Sequence, residues 1–87
     1  MGVTFEDDAF QELSEWASID KKKFDKISAL IKDIHRNGSM KGMEKPERLK
    51  YRPAYSRRIV KENRLIYEII PEGNLHIFSC KGHYEER

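Results

Sequence analysis

The chain has 87 residues, of which 38% are hydrophobic and 37% are charged, so it is long enough for one domain with a small core and too short for a second. No apolar stretch approaches the roughly 20 residues that span a bilayer, and no basic leader precedes an apolar run. We therefore expect a cytoplasmic protein, and the length predicts a single domain, residues 1–87. The net charge is only +2, and the single cysteine, Cys80, excludes an intrachain disulfide and a thiolate metal cluster.

The first half of the chain predicts a short strand and two amphipathic helices. After the β-prone residues 3–5, the acids at 6–8 suit the N-terminus of a helix that runs to about Ile19. Asp20 suits the cap of a second helix, which ends at Asn37-Gly38 because glycine adopts the left-handed conformation of a helix terminus. The apolar faces recur at intervals of three and four residues and consist of Phe10, Leu13, Trp16 and Ala17, then Phe24, Ile27, Leu30, Ile31 and Ile34. We expect Phe10, Trp16 and Phe24 to be core residues.

The second half predicts three strands. They cover Tyr55 to Val60, Arg64 to Ile70 and Leu75 to Lys81, with turns at 61–63 and 71–74 between them. The order β-α-α-β-β-β therefore predicts an α+β fold in which a helical hairpin packs on one face of a mainly antiparallel sheet, and the other face, or part of it, stays open. Residues 38–50 form a connection long enough to be a functional loop.

The charges are unevenly distributed along the chain. Residues 1–20 contain six acids and no base, whereas residues 45–64 contain eight bases and two acids. An anionic partner would therefore bind to the second half. The separation alone does not distinguish a nucleic-acid site from a solvated basic face.

Few side chains suit acid–base chemistry. Among the three histidines, His35 ends a helix and His76 lies in a strand, whereas His83 follows the last strand and precedes Tyr84. No histidine pair has metal-ligand spacing and no glycine-rich phosphate loop occurs, so neither a metal nor a nucleotide cofactor is expected. RNA carries its own nucleophile, the 2′-hydroxyl, and its cleavage needs only a base, an acid and cations at the phosphate. The chain has that set in Glu47, His83, Lys50, Arg57, Arg58 and Arg64.

Four separated segments resemble, in the same order, the signature of YoeB-type toxins of the RelE/ParE superfamily. They are Lys45-Pro46-Glu47-Arg48-Leu49-Lys50, Tyr55-Ser56-Arg57-Arg58-Ile59, Asn63-Arg64-Leu65-Ile66-Tyr67 and Cys80-Lys81-Gly82-His83-Tyr84. The helical pattern that ends at Asn37 agrees with that family too, so the resemblance covers nearly the whole chain. It implies a RelE-like, microbial RNase-like fold.

The resemblance also implies roles for individual residues. Glu47 matches the general base that takes the 2′-hydroxyl proton, and His83 matches the general acid that protonates the 5′-oxygen. Arg64 matches the arginine that stabilises charge on the phosphate, and Tyr84 the aromatic that positions substrate. We expect Lys50 and Arg58, together with Arg57, to bind substrate. Because Arg57 and Arg58 are adjacent in a strand, they should face opposite ways, so that only one of them reaches the site.

The function implied is that of the toxin in a type II toxin–antitoxin system: a metal-independent, ribosome-dependent endoribonuclease, or mRNA interferase. Expected partners are a YefM/Phd-like antitoxin and messenger RNA in the A site of the 70S ribosome, with no membrane. A homodimer is common in the family, and the sequence leaves the oligomeric state open. Two alternatives remain open. One is a catalytically weakened member that binds RNA or the ribosome, favoured by Gly82 in place of a bulky residue and by the extension Glu85-Glu86-Arg87. The other is a ParE-like inhibitor of gyrase.

Overall fold

The computed structural model describes residues 2–82, which form two helices and a five-stranded sheet. The elements are β1 Val3–Phe5, α1 Asp7–Ile19, α2 Lys21–Asn37, β2 Glu47–Arg48, β3 Tyr55–Val60, β4 Asn63–Ile69 and β5 Leu75–Ser79. The strand order is β1-β5-β4-β3-β2, with β1 parallel to β5 and the other neighbours antiparallel. The predicted α+β fold is confirmed, with the addition of the two-residue strand β2 inside the predicted loop.

The helical hairpin begins and ends where the local sequence predicts. The Asp20 carboxylate accepts a hydrogen bond from the backbone N–H of Lys23 and caps α2, and Gly38 ends the helix with a φ of +90°. Both helices pack on one face of the sheet, through a core that consists of Ala9, Trp16, Ile27, Leu30, Ile34, Ile59, Leu65, Tyr67, Leu75, Ile77 and Cys80. No helix within residues 2–82 is long and apolar enough to cross a membrane.

The expectation that Phe10 is a core residue is wrong, because its side chain is 60% exposed and contacts Phe5 edge-on at the surface. The buried stripe of α1 instead runs from Ala9 through Leu13 to Trp16, one helical position away from Phe10. Trp16 is buried as predicted, and Phe24 packs against the core while partly exposed.

Side chains of β3 alternate between the two faces of the sheet. Tyr55 and Ile59 pack with the helices, whereas Ser56 and Arg58 lie on the opposite face. Part of that opposite face is covered, since Ser56 and its register partner Ile66 are both buried. The exposed remainder, towards β2, carries the candidate site.

Candidate active site

A groove of about 410 Å³ lies where β2, β3 and the start of β4 meet, on the sheet face opposite the helices. It is lined by residues of β2 and of the segment just before it, and by two arginines of β3 and β4. The lining residues are Glu44, Lys45, Glu47, Arg58 and Arg64. The structure thus brings together three of the residues that the sequence predicts for the site, Glu47, Arg58 and Arg64.

Arg64 is held in the groove by a side chain of the neighbouring strand. Its Nε donates a 3.0 Å hydrogen bond to the hydroxyl of Ser56, and the side chain is 18% exposed. Its Nη2 lies 3.7 Å from Oε2 of Glu47, which is 70% exposed. The cation is therefore fixed and the carboxylate beside it is open to solvent and to a ligand.

Sheet register places these groups side by side. Glu47 pairs with Ser56 across β2 and β3, and Arg58 pairs with Arg64 across β3 and β4. Like charges directly opposite each other in a sheet repel, and the repulsion is relieved when an anion binds between them. The pair of guanidinium groups next to an exposed carboxylate is suited to holding a phosphate while a proton is removed close by.

The backbone at the rim of the groove is unusual. Glu44 and Lys45 have φ values of +60° and +45°, a conformation that costs non-glycine residues roughly 1–3 kcal/mol each. The Glu44 carboxylate also forms an ion pair with Lys26 of α2. Surrounding contacts must therefore hold this segment in place.

Arg57 does not line the groove, and the expectation that it binds substrate is corrected here. Its side chain is 0% exposed on the helix side of the sheet, where it pairs with Asp33 and donates to Tyr67 Oη at 2.8 Å. The predicted opposition of Arg57 and Arg58 is correct, and Arg58 is the one that reaches the groove. The guanidinium of Arg57 holds the pKa of the Asp33 carboxyl below its usual range, with a further contribution from the Met43 N–H.

The last described residue lies next to Arg64. The backbone N–H of Gly82 donates to Oδ1 of Asn63 at 2.8 Å, and its carbonyl accepts from the N–H of Arg64 at 3.2 Å. Two residues earlier, Cys80 is tied to α1, since its carbonyl accepts from Nε1 of Trp16 at 2.8 Å. His83 and Tyr84 lie outside the described residues.

Two other side chains considered from the sequence, Lys50 and His76, are not among the residues that line the groove. Lys50 is in the loop between β2 and β3, with its Nζ 5.4 Å from the centroid of the Tyr51 ring. His76 contacts Thr4 and Glu6 on the β1 side of the sheet. In the described part of the chain, no group of three or more His, Cys, Asp and Glu side chains could hold a metal ion.

Sequence reasoning missed three members of the site. Ser56, only 3% exposed, orients Arg64, and it has the same strand parity as Arg58, which could have identified it. Glu44 and Lys45 line the groove from an irregular segment whose path no periodicity predicts.

Comparison with known proteins places this chain in a group of bacterial toxins. Residues 5–84 match the family described as the YoeB-like toxin of bacterial type II toxin–antitoxin systems. Toxin YoeB of Escherichia coli is 35% identical over 97% of this chain and 100% of its own length. Toxin YoeB of Synechocystis is 37% identical over 98% of this chain and 99% of its own length.

Solved structures give the same grouping. The heterotetrameric YoeB–YefM complex of Staphylococcus aureus contains a chain that is 42% identical, with a TM-score of 0.89 over 97% of this chain and 98% of that one. The YoeB dimer of the same organism is 41% identical, again with a TM-score of 0.89 and the same coverage of both chains. The RelBE complex of Escherichia coli, at 16% identity and a TM-score of 0.53 over 98% of each chain, shares the fold alone. The predicted RelE-like architecture is confirmed.

Proposed function

The chain belongs to the YoeB-like toxin family of bacterial type II toxin–antitoxin systems, and on that premise we propose that it is a ribosome-dependent endoribonuclease that cleaves messenger RNA in the A site without a metal. The observation that supports this most directly is the exposed Glu47 carboxylate 3.7 Å from the fixed guanidinium of Arg64. A base and an anion-binding group stand there within reach of one phosphodiester.

In the proposed reaction the 2′-hydroxyl oxygen attacks the adjacent phosphorus in line with the departing 5′-oxygen. Glu47 accepts the hydroxyl proton, the new O–P bond forms, and the bond to the 5′-oxygen breaks. His83 gives that oxygen a proton, and Tyr84 positions the substrate. The products are a 2′,3′-cyclic phosphate, or its opened 3′-phosphate, and a 5′-hydroxyl.

Arg64 and Arg58 stabilise the negative charge that builds on the phosphate, and Lys50 contributes to binding the same backbone. Preorganised cations are worth more in such a groove than in water, because they need no rearrangement as the charge develops. Ser56 supports this proposal, since its hydrogen bond leaves Arg64 little freedom to turn away.

The proposed acid is carried by the segment that follows Gly82. His83 is the next residue in the sequence, and Gly82 is hydrogen-bonded to both Asn63 and Arg64. Anchoring of the chain beside Arg64 supports a role for His83 and Tyr84 at the same phosphate.

We also propose the partners of this reaction. YoeB of Staphylococcus aureus occurs in a complex with YefM and as a dimer, which supports a YefM/Phd-like antitoxin and a homodimer for this chain. The toxin would act in the cytoplasm as a single domain, with the 70S ribosome as partner and the message in its A site as substrate.

The test is primer extension on a translated message, with and without ribosomes, for the parent and for Glu47→Gln and Arg64→Lys. Glu72→Gln, in the exposed turn after β4, is the control. We expect discrete cuts that need ribosomes, persist in the control and fall by roughly 10²–10⁴-fold in Glu47→Gln. The 5′ ends should be hydroxyls, which a polynucleotide kinase labels without prior phosphatase treatment.

Other outcomes have defined meanings. A parent protein that binds ribosomes and cuts nothing would be a catalytically silent binder. Loss of DNA supercoiling before any loss of message would instead indicate a ParE-like gyrase inhibitor.

A further inference from the structure

Arg57 uses all of its hydrogen-bonding capacity on the helix side of the sheet. A guanidinium has five N–H donors, and Arg57 makes five hydrogen bonds. Its Nε donates to Tyr67 Oη, and its Nη1 donates to Asp33 and to the carbonyl of Met43 at 3.2 Å. Its Nη2 donates to the carbonyls of Gly38 and Lys41, at 2.9 Å and 2.8 Å.

The two side-chain partners of Arg57 hold the same stretch of backbone. Tyr67 Oη donates to the carbonyl of Ser39 at 2.7 Å, and Oδ2 of Asp33 accepts from the N–H of Met43 at 3.0 Å. Residues 38–43, here called the 38–43 segment, form neither helix nor strand. Four of its carbonyls and the N–H of Met43 are therefore bonded to one side chain each from α2, β3 and β4 rather than to a neighbouring strand.

The 38–43 segment leads directly into the groove. Glu44 and Lys45 follow it with positive φ values, and both line the groove together with Glu47. Within β3, Arg57 stands between Ser56, which is the register partner of Glu47, and Arg58, which lines the groove. One strand therefore presents its groove residues on one face and a clamp for the preceding loop on the other.

We propose that Arg57 is a positioning residue for the candidate active site: by clamping the 38–43 segment it fixes the path of residues 44–47 and hence the place of the Glu47 carboxylate. It touches no substrate. The part that concerns catalysis rests on the proposed nuclease function. A buried ion pair on its own is weak evidence for a contribution to stability. The hydrogen bonds from Arg57 to three loop carbonyls, in contrast, hold the loop backbone in one conformation.

The test compares Arg57→Lys and Tyr67→Phe with Leu75→Ala. Lysine keeps the charge near Asp33 but lacks the planar fork that reaches three carbonyls, and phenylalanine removes only the hydroxyl. Leu75→Ala creates a buried cavity near the β1 edge of the sheet and lowers stability without touching the 38–43 segment. All variants are assayed at a temperature where each is fully folded by circular dichroism.

The first readout separates chemistry from binding under single-turnover conditions on programmed ribosomes. We expect Arg57→Lys to cleave at least roughly tenfold more slowly at saturation, because a catalytic group misplaced by about 1 Å can lower the rate 10²-fold. The concentration that gives half of the maximal rate should stay unchanged. Leu75→Ala should keep the parental rate. A folded Arg57→Lys protein with the parental rate, or a loss shared equally with Leu75→Ala, would overturn the proposal.

The second readout does not depend on activity. Hydrogen exchange of peptides covering residues 38–48 should become faster in Arg57→Lys and in Tyr67→Phe, and not in Leu75→Ala. If the parent cuts no RNA, the proposed function fails, and this exchange measurement still decides whether Arg57 fixes the rim of the groove. If hydrogen exchange of residues 38–48 is no faster in Arg57→Lys than in Leu75→Ala, the proposal is wrong.

Discussion

The hydroxyl of Ser56 accepts a 3.0 Å hydrogen bond from Nε of Arg64, directly across the sheet from Glu47. The serine therefore orients the main cation of the groove while itself buried. A hydrogen bond to a charged group contributes roughly 1.5–3 kcal/mol, and about 1.4 kcal/mol corresponds to a factor of ten in rate.

Ser56→Ala is accordingly predicted to lower kcat/KM for message cleavage by about tenfold or more, and Arg64→Ala by about 10²–10³-fold. Ser14→Ala, which removes a hydroxyl from the exposed face of α1, is the matched control and should change nothing. Parental kcat/KM in Ser56→Ala would mean that Arg64 needs no such support.

Gly42→Ala is predicted to destabilise the fold because two effects act at one position. Gly42 has a φ of +108°, and a Cβ there would overlap with Oδ2 of Asp33, the oxygen to which both the Met43 N–H and Arg57 donate. We expect Tm to fall by roughly 4–8 °C for each kcal/mol lost. Gly73→Ala is the control, since its φ is +85° with nothing within 4 Å, so it carries the backbone strain alone. Equal losses of Tm would contradict the close contact with Asp33.

Acid should weaken the Asp33–Arg57 pair in a defined direction. Hydrogen bonds from Arg57 and the Met43 N–H lower the pKa of Asp33 below its ordinary value of 3.8. Above about pH 4 the carboxyl is ionised in both folded and unfolded chains, so its stabilising contribution is complete there and is lost as the pH falls through the lowered pKa. A ¹³C NMR titration of the Asp33 carboxyl in the folded protein should have its midpoint below 3.8. A midpoint at or above that value would show that the ion pair is not formed in solution.

Cys80 is predicted to resist alkylation in the native state. Burial raises its pKa to about 12, with a further contribution from Glu12, and the thiolate is the reactive form. Iodoacetamide at pH 8 should modify the thiol slowly in buffer and rapidly in guanidinium chloride, as followed by mass spectrometry. Equal rates in both solvents would mean that Cys80 is accessible in the folded chain.

The sequence predicted the elements well because each has a clean periodicity and a clear boundary residue. Asp20 and Gly38 bound α2 as expected, and β3 covers the predicted residues Tyr55–Val60. Arg57 was harder to assign, since alternation shows that it opposes Arg58 but not which of them faces the helices. The apolar side chains of Tyr55 and Ile59, at the same parity as Arg57, carried that information.

Other features depend on tertiary contacts that no local pattern encodes. The positive φ values of Glu44 and Lys45 are imposed by the contacts of the surrounding loop, since neither residue type favours that conformation. The strand β2 has only two residues and exists because Glu47 and Arg48 meet Ser56 and Tyr55. Phe10 repeats at helical spacing with Leu13 and Ala17, yet the helix is rotated so that Ala9 is inside.

The parallel pairing of β1 with β5 determines the order in which the protein can fold during synthesis. Thr4 and His76 are partners across 72 positions of sequence, and Trp16 reaches Cys80 across 64. Contacts between such distant positions form late, after the entropy of closing a long loop has been overcome. Helix α1 can pack against α2 earlier, but β1 has no strand to pair with, and Trp16 no carbonyl to bind, until residues 75–80 have emerged. A nascent chain is consequently unable to complete its core, or to anchor the segment beside Arg64, until residues 75–82 have been synthesised.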